Sequence, residues 1–265
     1  MTALTWDQAG QRRFETGVER GVLYLPDSSA VAWNGLTGIE ENSTSELKSY
    51  YLDGVKYLDY VVPSDFSATL KAFTYPDEFE ELLGVHEHSP GFFVHDQRAK
   101  SFGLTYRTRI GNDVEGVDLG YRLHILYNVK AIQTTTAFGT INDSVTPTEF
   151  SWTLSAVPNT LIEHRPTAHL SFDSMRMDPT VLAEIEGFLY GTEDTDPYLP
   201  LFSDLFNLAA ATGIITITDH GDGTWSAEGP AESVYLTDST TFEIDHVDAT
   251  YSDPDTYDVS TTIPE

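Results

Sequence analysis

The chain has 265 residues, 40% of them hydrophobic, and no cysteine, so it can bury a substantial core while disulfides, thiolate metal sites and a cysteine nucleophile are excluded. Forty-two acids against 14 bases give a formal charge of −28, and beyond Arg176 there are 19 acids and no base. A field of that sign repels phosphate over about 8 Å at physiological salt, which disfavours adhesion to nucleic acid or anionic membrane. It suits a surface past which DNA slides without sticking, and equally a merely soluble surface or a high-salt host.

In chain order, Gly21–Leu25 and Ala30–Trp33 read as short strands around the turn-like Pro26-Asp27-Ser28-Ser29. Gly35–Glu46 is polar, shows no strand pattern and is expected to be a long projecting loop.

Ser49–Phe73 organises the prediction. Asp53-Gly54 is the two-residue loop of a type I′ hairpin, flanked by aromatic and β-branched residues. The turn predicts Leu52 opposite Val55, Tyr50 opposite Tyr57 and Ser49 opposite Leu58. That register puts Leu52, Val55 and Tyr57 on one face and Leu58, Tyr60 and Val62 on the other. Such a ribbon must be covered, by the domain itself or by a neighbouring subunit. After Pro63, Phe66, Ala68, Leu70 and Ala72 alternate with polar residues as a third strand with one dry face.

Tyr75–Gly84 has helix punctuation: Asp77 to cap, Glu80 three residues on, an apolar stripe of Phe79, Leu82 and Leu83, and Gly84 to stop. Val85–Arg98 is expected to be a loop. Phe102–Ile110, Tyr121–Ile132, Glu149–Val157 and His169–Asp173 read as strands, the first two joined by a turn-rich 111–120. Asp178 caps a helix that starts at Pro179, repeats Leu182, Ile185 and Leu189, and stops at Gly191. A second helix near Leu201–Ala211 follows. Ile214–Thr218 and Thr224–Ala227 flank a His220–Gly223 turn, and Val234–Leu236 and Thr241–Ile244 are further short strands. The fold class is α+β and β-rich, with residues 1–175 as core and 176–265 as an acidic C-terminal α+β extension.

Chemical motifs are sparse. His86-x-His88, with Glu87 and His95 nearby, lacks a further ligand at characteristic spacing, so no metal site is assigned. Phosphate-binding, dinucleotide, nucleophile-elbow and zincin motifs are missing from the sequence, and neither catalytic nor cofactor-binding residues are assigned. The N-terminal residues lack an apolar signal-peptide core and no apolar run reaches membrane-span length, so synthesis in the cytoplasm and no membrane partner are expected.

The stretches Phe14–Asp27, Val31–Glu41, Tyr51–Glu81 and Arg165–Pro200, with Gly221–Trp225 and Thr240–Tyr251, resemble the major tail tube proteins of long-tailed, siphovirus-type actinobacterial phages. The resemblance runs in order over most of the chain. It implies a non-enzymatic subunit with a β-sandwich or half-barrel core and a flanking helix. Six such subunits close into a ring whose inner strands make a continuous barrel, and rings stack through a long loop. Implied partners are other copies, tail terminator, tape measure and distal tail proteins, and viral DNA passing through the lumen; the implied location is the virion tail. On this basis Gly35, Ile39, Glu40, Glu41 and Asn42 are candidates for an inter-ring loop. Tyr51, Asp53, Gly54, Tyr57 and Tyr60 are candidates for the barrel wall. A carbohydrate-binding or hydrolytic β-sandwich, or a distal tail or decoration protein, is the alternative.

Overall fold

The computed structural model describes residues 4–42, 46–62, 66–134, 136–140, 147–160 and 165–211, and then 216–219, 225–228, 234–236, 242–244, 247–253 and 256–261. The chain divides into two compact units, Met1–Pro200 and Leu201–Glu265.

In the first unit the strands are β1 (Phe14–Tyr24), β2 (Ala30–Trp33), β3 (Leu36–Asn42), β4 (Glu46–Leu52), β5 (Val55–Val62) and β6 (Ser67–Ala72). Helix α1 (Glu78–Leu82) precedes β7 (His86–Ser89), β8 (Phe92–Val94), β9 (Phe102–Asn112), β10 (Gly116–Gln133), β11 (Phe150–Ala156) and β12 (His169–Asp173); helix α2 (Pro179–Tyr190) follows. An antiparallel sheet runs β2-β1-β9-β10-β11-β6-β3, with β12 added to the edge of β10 that β11 occupies farther along. The sheet curls. A Cβ on Gly21 of β1 would lie 2.4 Å from Leu36 of β3, so the two ends of the curl approach each other closely at a glycine. No closed barrel forms among the described residues.

Alternation along the strands divides the sheet into two dry faces. Inside the curl, Leu70, Phe102, Leu104, Leu126, Val129, Trp152 and Leu154 are buried around Phe79 and Leu82 of α1. Phe79 is the hub, with ring centroids 4.5 Å from Trp33, 5.3 Å from Trp152 and 5.5 Å from Phe102. On the other face, α2 buries Val181, Leu182, Ile185 and Leu189. It is tied to the sheet by Tyr24, whose hydroxyl donates to the Leu189 carbonyl at 2.8 Å, and by Arg107, which donates to Glu186 at 2.9 Å while lying 3.5 Å over the Tyr121 ring. With both faces covered, burial follows both parities of β9: Phe102 to Tyr106 are all buried.

The second unit contains α3 (Phe202–Ala211) and three two-stranded antiparallel pairs: β13 (Thr216–Asp219) with β14 (Trp225–Glu228), β15 (Val234–Leu236) with β16 (Phe242–Ile244), and β17 (Val247–Asp253) with β18 (Thr256–Thr261). The His220–Gly223 turn lies outside the described residues.

The β-rich α+β class holds, and several local expectations are corrected. Residues 36–42 form a strand, because a register shift at Gly38 resets the alternation and lets Leu36 and Ile39, three apart, both pack on the core. Val85–Arg98 contains the β7–β8 hairpin. Most of 111–120 is strand, with the turn pinned at Asn112, whose side-chain oxygen accepts from the Val114 and Glu115 amides. Asp77 has helical backbone angles and makes no side-chain cap, whereas Asp178 accepts from the Thr180 and Val181 amides as expected. The two compact units divide after Pro200, and α2 is tied to the first unit's sheet.

Candidate assembly surface

The sequence-selected residues fall on two antiparallel strand pairs, β3 with β6 at the base and, between these in the chain, β4 with β5. At the base, Gly35 has φ +82° and its carbonyl accepts from Phe73 N at 2.8 Å. A Cβ there would meet Thr74 Cγ2 at 2.6 Å, so the position needs glycine for both its angle and its space. Ile39 packs against the core, Glu40 pairs with Lys71 at 2.5 Å, and Asn42 is paired in register with Ser67. The hydrogen bond to the Glu40 carboxylate and its charge raise the Lys71 pKa above its ordinary value. Glu41 turns the other way, accepting from the Tyr106 hydroxyl at 2.5 Å.

Beyond the base, β4 and β5 form their own two-stranded sheet. Asp53 and Gly54 have φ +49° and +79°, the angles a type I′ turn requires. The expected register holds only at Leu52 opposite Val55. A shift between Tyr50 and Tyr51 leaves an extra residue in β5, so Tyr50 faces Leu58 and Ser49 faces Asp59. The bulge sorts the two faces. Cross-strand partners share a face, so Leu52, Val55, Tyr50, Leu58 and Tyr60 gather on one side. Tyr51, Lys56, Ser49 and Asp59, with Leu47 and Val61, lie on the other. The second side is held by polar bonds: Lys56 to Asp59 at 2.7 Å and Ser49 Oγ to Asp59 at 2.7 Å, which keep the Asp59 carboxyl below its usual range.

The apolar side chains of this ribbon are in water. Leu52, Val55, Tyr57 and Leu58 are 55%, 69%, 74% and 51% exposed, and Tyr50, Tyr51 and Tyr60 are each more than half exposed. The first unit does not cover the ribbon with its own core, so the candidate barrel-wall residues Tyr51, Asp53, Gly54, Tyr57 and Tyr60 are surface residues of the single chain. Phe92, Phe93 and Val94 on the β7–β8 hairpin add a second exposed apolar group. What the sequence reading missed here is the bulge, because an extra residue in one strand leaves no compositional mark.

No protein-family model matches the chain, and no curated protein matches it. Among solved structures, the tube–sheath complex of an extracellular contractile injection system (PVC) in its extended state is similar at 11% identity and TM-score 0.33, over 58% of this chain and 88% of that one. The tube-terminating cap of the anti-feeding prophage is similar at 11% identity and TM-score 0.33, over 65% and 96%. The baseplate of the anti-feeding prophage gives 9% identity and TM-score 0.30, over 64% and 97%.

Proposed function

We propose that this chain is a structural, non-enzymatic subunit of a phage tail tube, of the siphovirus type that its sequence resembles. Copies close into hexameric rings, rings stack into a tube, and the genome passes down the lumen during ejection. The observation that carries this reading is the β4–β5 ribbon: a two-stranded sheet with its apolar face in water is marginal alone and is satisfied by a neighbouring copy.

Ring closure and ribbon burial solve the same physical problem. β2 and β3 are edge strands of the curled sheet, and among the described residues β4 and β5 pair only with each other. Joining such edges between copies removes an aggregation hazard, and a head-to-tail contact that closes by rotation gives a ring. The proposed inter-ring contact is made by Gly35, Ile39, Glu40, Glu41 and Asn42, of which residues 36–42 lie in the edge strand β3. Acids facing the lumen would keep DNA phosphates from adhering. Tail terminator, tape measure and distal tail proteins are the partners this role requires, and the virion tail is its location.

Sedimentation tests the reading. The wild-type chain should sediment as multi-subunit assemblies at rising concentration, while Tyr50→Asp with Leu58→Asp should remain a monomer of 29.4 kDa. Identical sedimentation of the two proteins would remove the ribbon from the interface.

A further inference from the structure

One internal side-chain cluster takes no part in the exposed β4–β5 surface. The curl of the sheet brings Glu41 of β3 over His124 of β10 and His169 of β12. His169 is registered opposite Leu126, which places it diagonally from His124 on the same face. His124 Nδ1 lies 3.0 Å from His169 Nε2 and 3.5 Å from Glu41 Oε1. One ligand atom from each of the three residues lies within 4.8 Å of the other two. His124 is buried, His169 is partly buried, and the Glu41 side chain is 39% exposed.

Proton accounting fixes which atoms face inward. Glu15 is a carboxylate and only accepts, so the Thr108 hydroxyl, in short contact with it, spends its proton there. Thr108 Oγ1, 3.1 Å from His124 Nε2, therefore accepts from that nitrogen. His124 Nδ1 is left with a lone pair, aimed at the gap shared with His169 and Glu41. Tyr106 in turn donates to Glu41, so the carboxylate also enters the gap as an acceptor. Two acceptors converge 3.5 Å apart, and His169 Nε2 lies 3.0 Å from the first of them.

We propose that Glu41, His124 and His169 form a binding site for a divalent transition-metal cation, with zinc the best match to two imidazoles and a carboxylate. The partners outside the ligand set are those a metal site needs. The ligating imidazole donates its other N–H to Thr108, which is itself oriented by Glu15, and the ligating carboxylate is held by Tyr106. Zinc lies about 2.0–2.2 Å from nitrogen and oxygen ligands, so the gap closes by a small movement of the exposed Glu41 side chain. The nearby Arg122 cation is neutralised by Glu15 at 2.6 Å and Asp173 at 3.5 Å. Bound metal would clamp the β3 edge onto β10 and β12 and fix the curl at the base of the ribbon. The site lies within one chain and does not depend on the assembly reading.

The test is calorimetric titration of the chelator-treated full chain with zinc chloride, with thermal unfolding as a second readout. Wild type should bind one equivalent and unfold at higher temperature with zinc. Glu41→Gln should lose the binding, and Tyr106→Phe, which leaves all three ligands in place, should weaken it by about 10-fold or more. His86→Ala with His88→Ala, on the exposed β7 strand, should leave binding unchanged. The proposal is overturned if wild type does not bind zinc, if Glu41→Gln binds as wild type does, or if the β7 variant is the one that loses it.

Discussion

Two aspartates at helix starts show how one residue type does different work according to backbone angle. Asp178 has extended ψ, and its carboxylate accepts from the amides of Thr180 and Val181; Asp77 is already helical and caps nothing. Asp178→Ala should therefore cost about 1 kcal/mol, read as a lower urea midpoint with an unchanged slope. Asp77→Ala should stay within about 0.5 kcal/mol of wild type in the same experiment. Equal losses would show that the caps are misassigned. Gly84 has a stricter demand: at φ +83° a Cβ would sit 2.2 Å from the Gln97 carbonyl oxygen. Gly84→Ala should cost more than the roughly 1–2 kcal/mol of a left-handed alanine, since the loop after α1 must also shift.

Among the elements, the β4–β5 ribbon and the α1 hub separate assembly from folding. Asp53-Gly54→Ala-Ala places two alanines at positive φ and weakens the ribbon's turn, but the ribbon lies outside the curled sheet. Its thermal midpoint should stay near that of wild type while assembly is impaired; assembly equal to wild type would count against the ribbon. Phe79→Ala does the opposite, removing the ring that joins Trp33, Trp152 and Phe102, and should cost about 3–5 kcal/mol. These elements also show what the sequence could reveal. The I′ turn, the Phe66–Ala72 alternation and the α2 cap are local signals carried by a few adjacent residues, and all three are present in the structure. The β3 strand and the ribbon's bulge were hidden because each breaks the period of two by one residue. The Glu41–His124–His169 cluster was invisible for another reason: its members lie on three strands brought together only by the curl, whereas His86-x-His88, the pair that spacing singled out, is exposed on β7.

For the whole molecule, charge and apolar surface oppose each other. Each chain carries −28, so bringing copies together costs electrostatic work, while the exposed ribbon favours association. Screening weakens only the first of these, with a Debye length falling from about 30 Å at 0.01 M salt to about 10 Å at 0.1 M. Assemblies should thus grow with added sodium chloride across that range, measured by light scattering at fixed protein concentration, and dissociation by salt would indicate contacts made mainly by ion pairs. The most direct test of the central claim is negative-stain electron microscopy of the purified chain at moderate salt. The account predicts rings or stacked tubes roughly 100 Å wide, the width of about 24 tilted strands around a lumen. A field of single particles that persists at high protein concentration, with tail partners added, would contradict it.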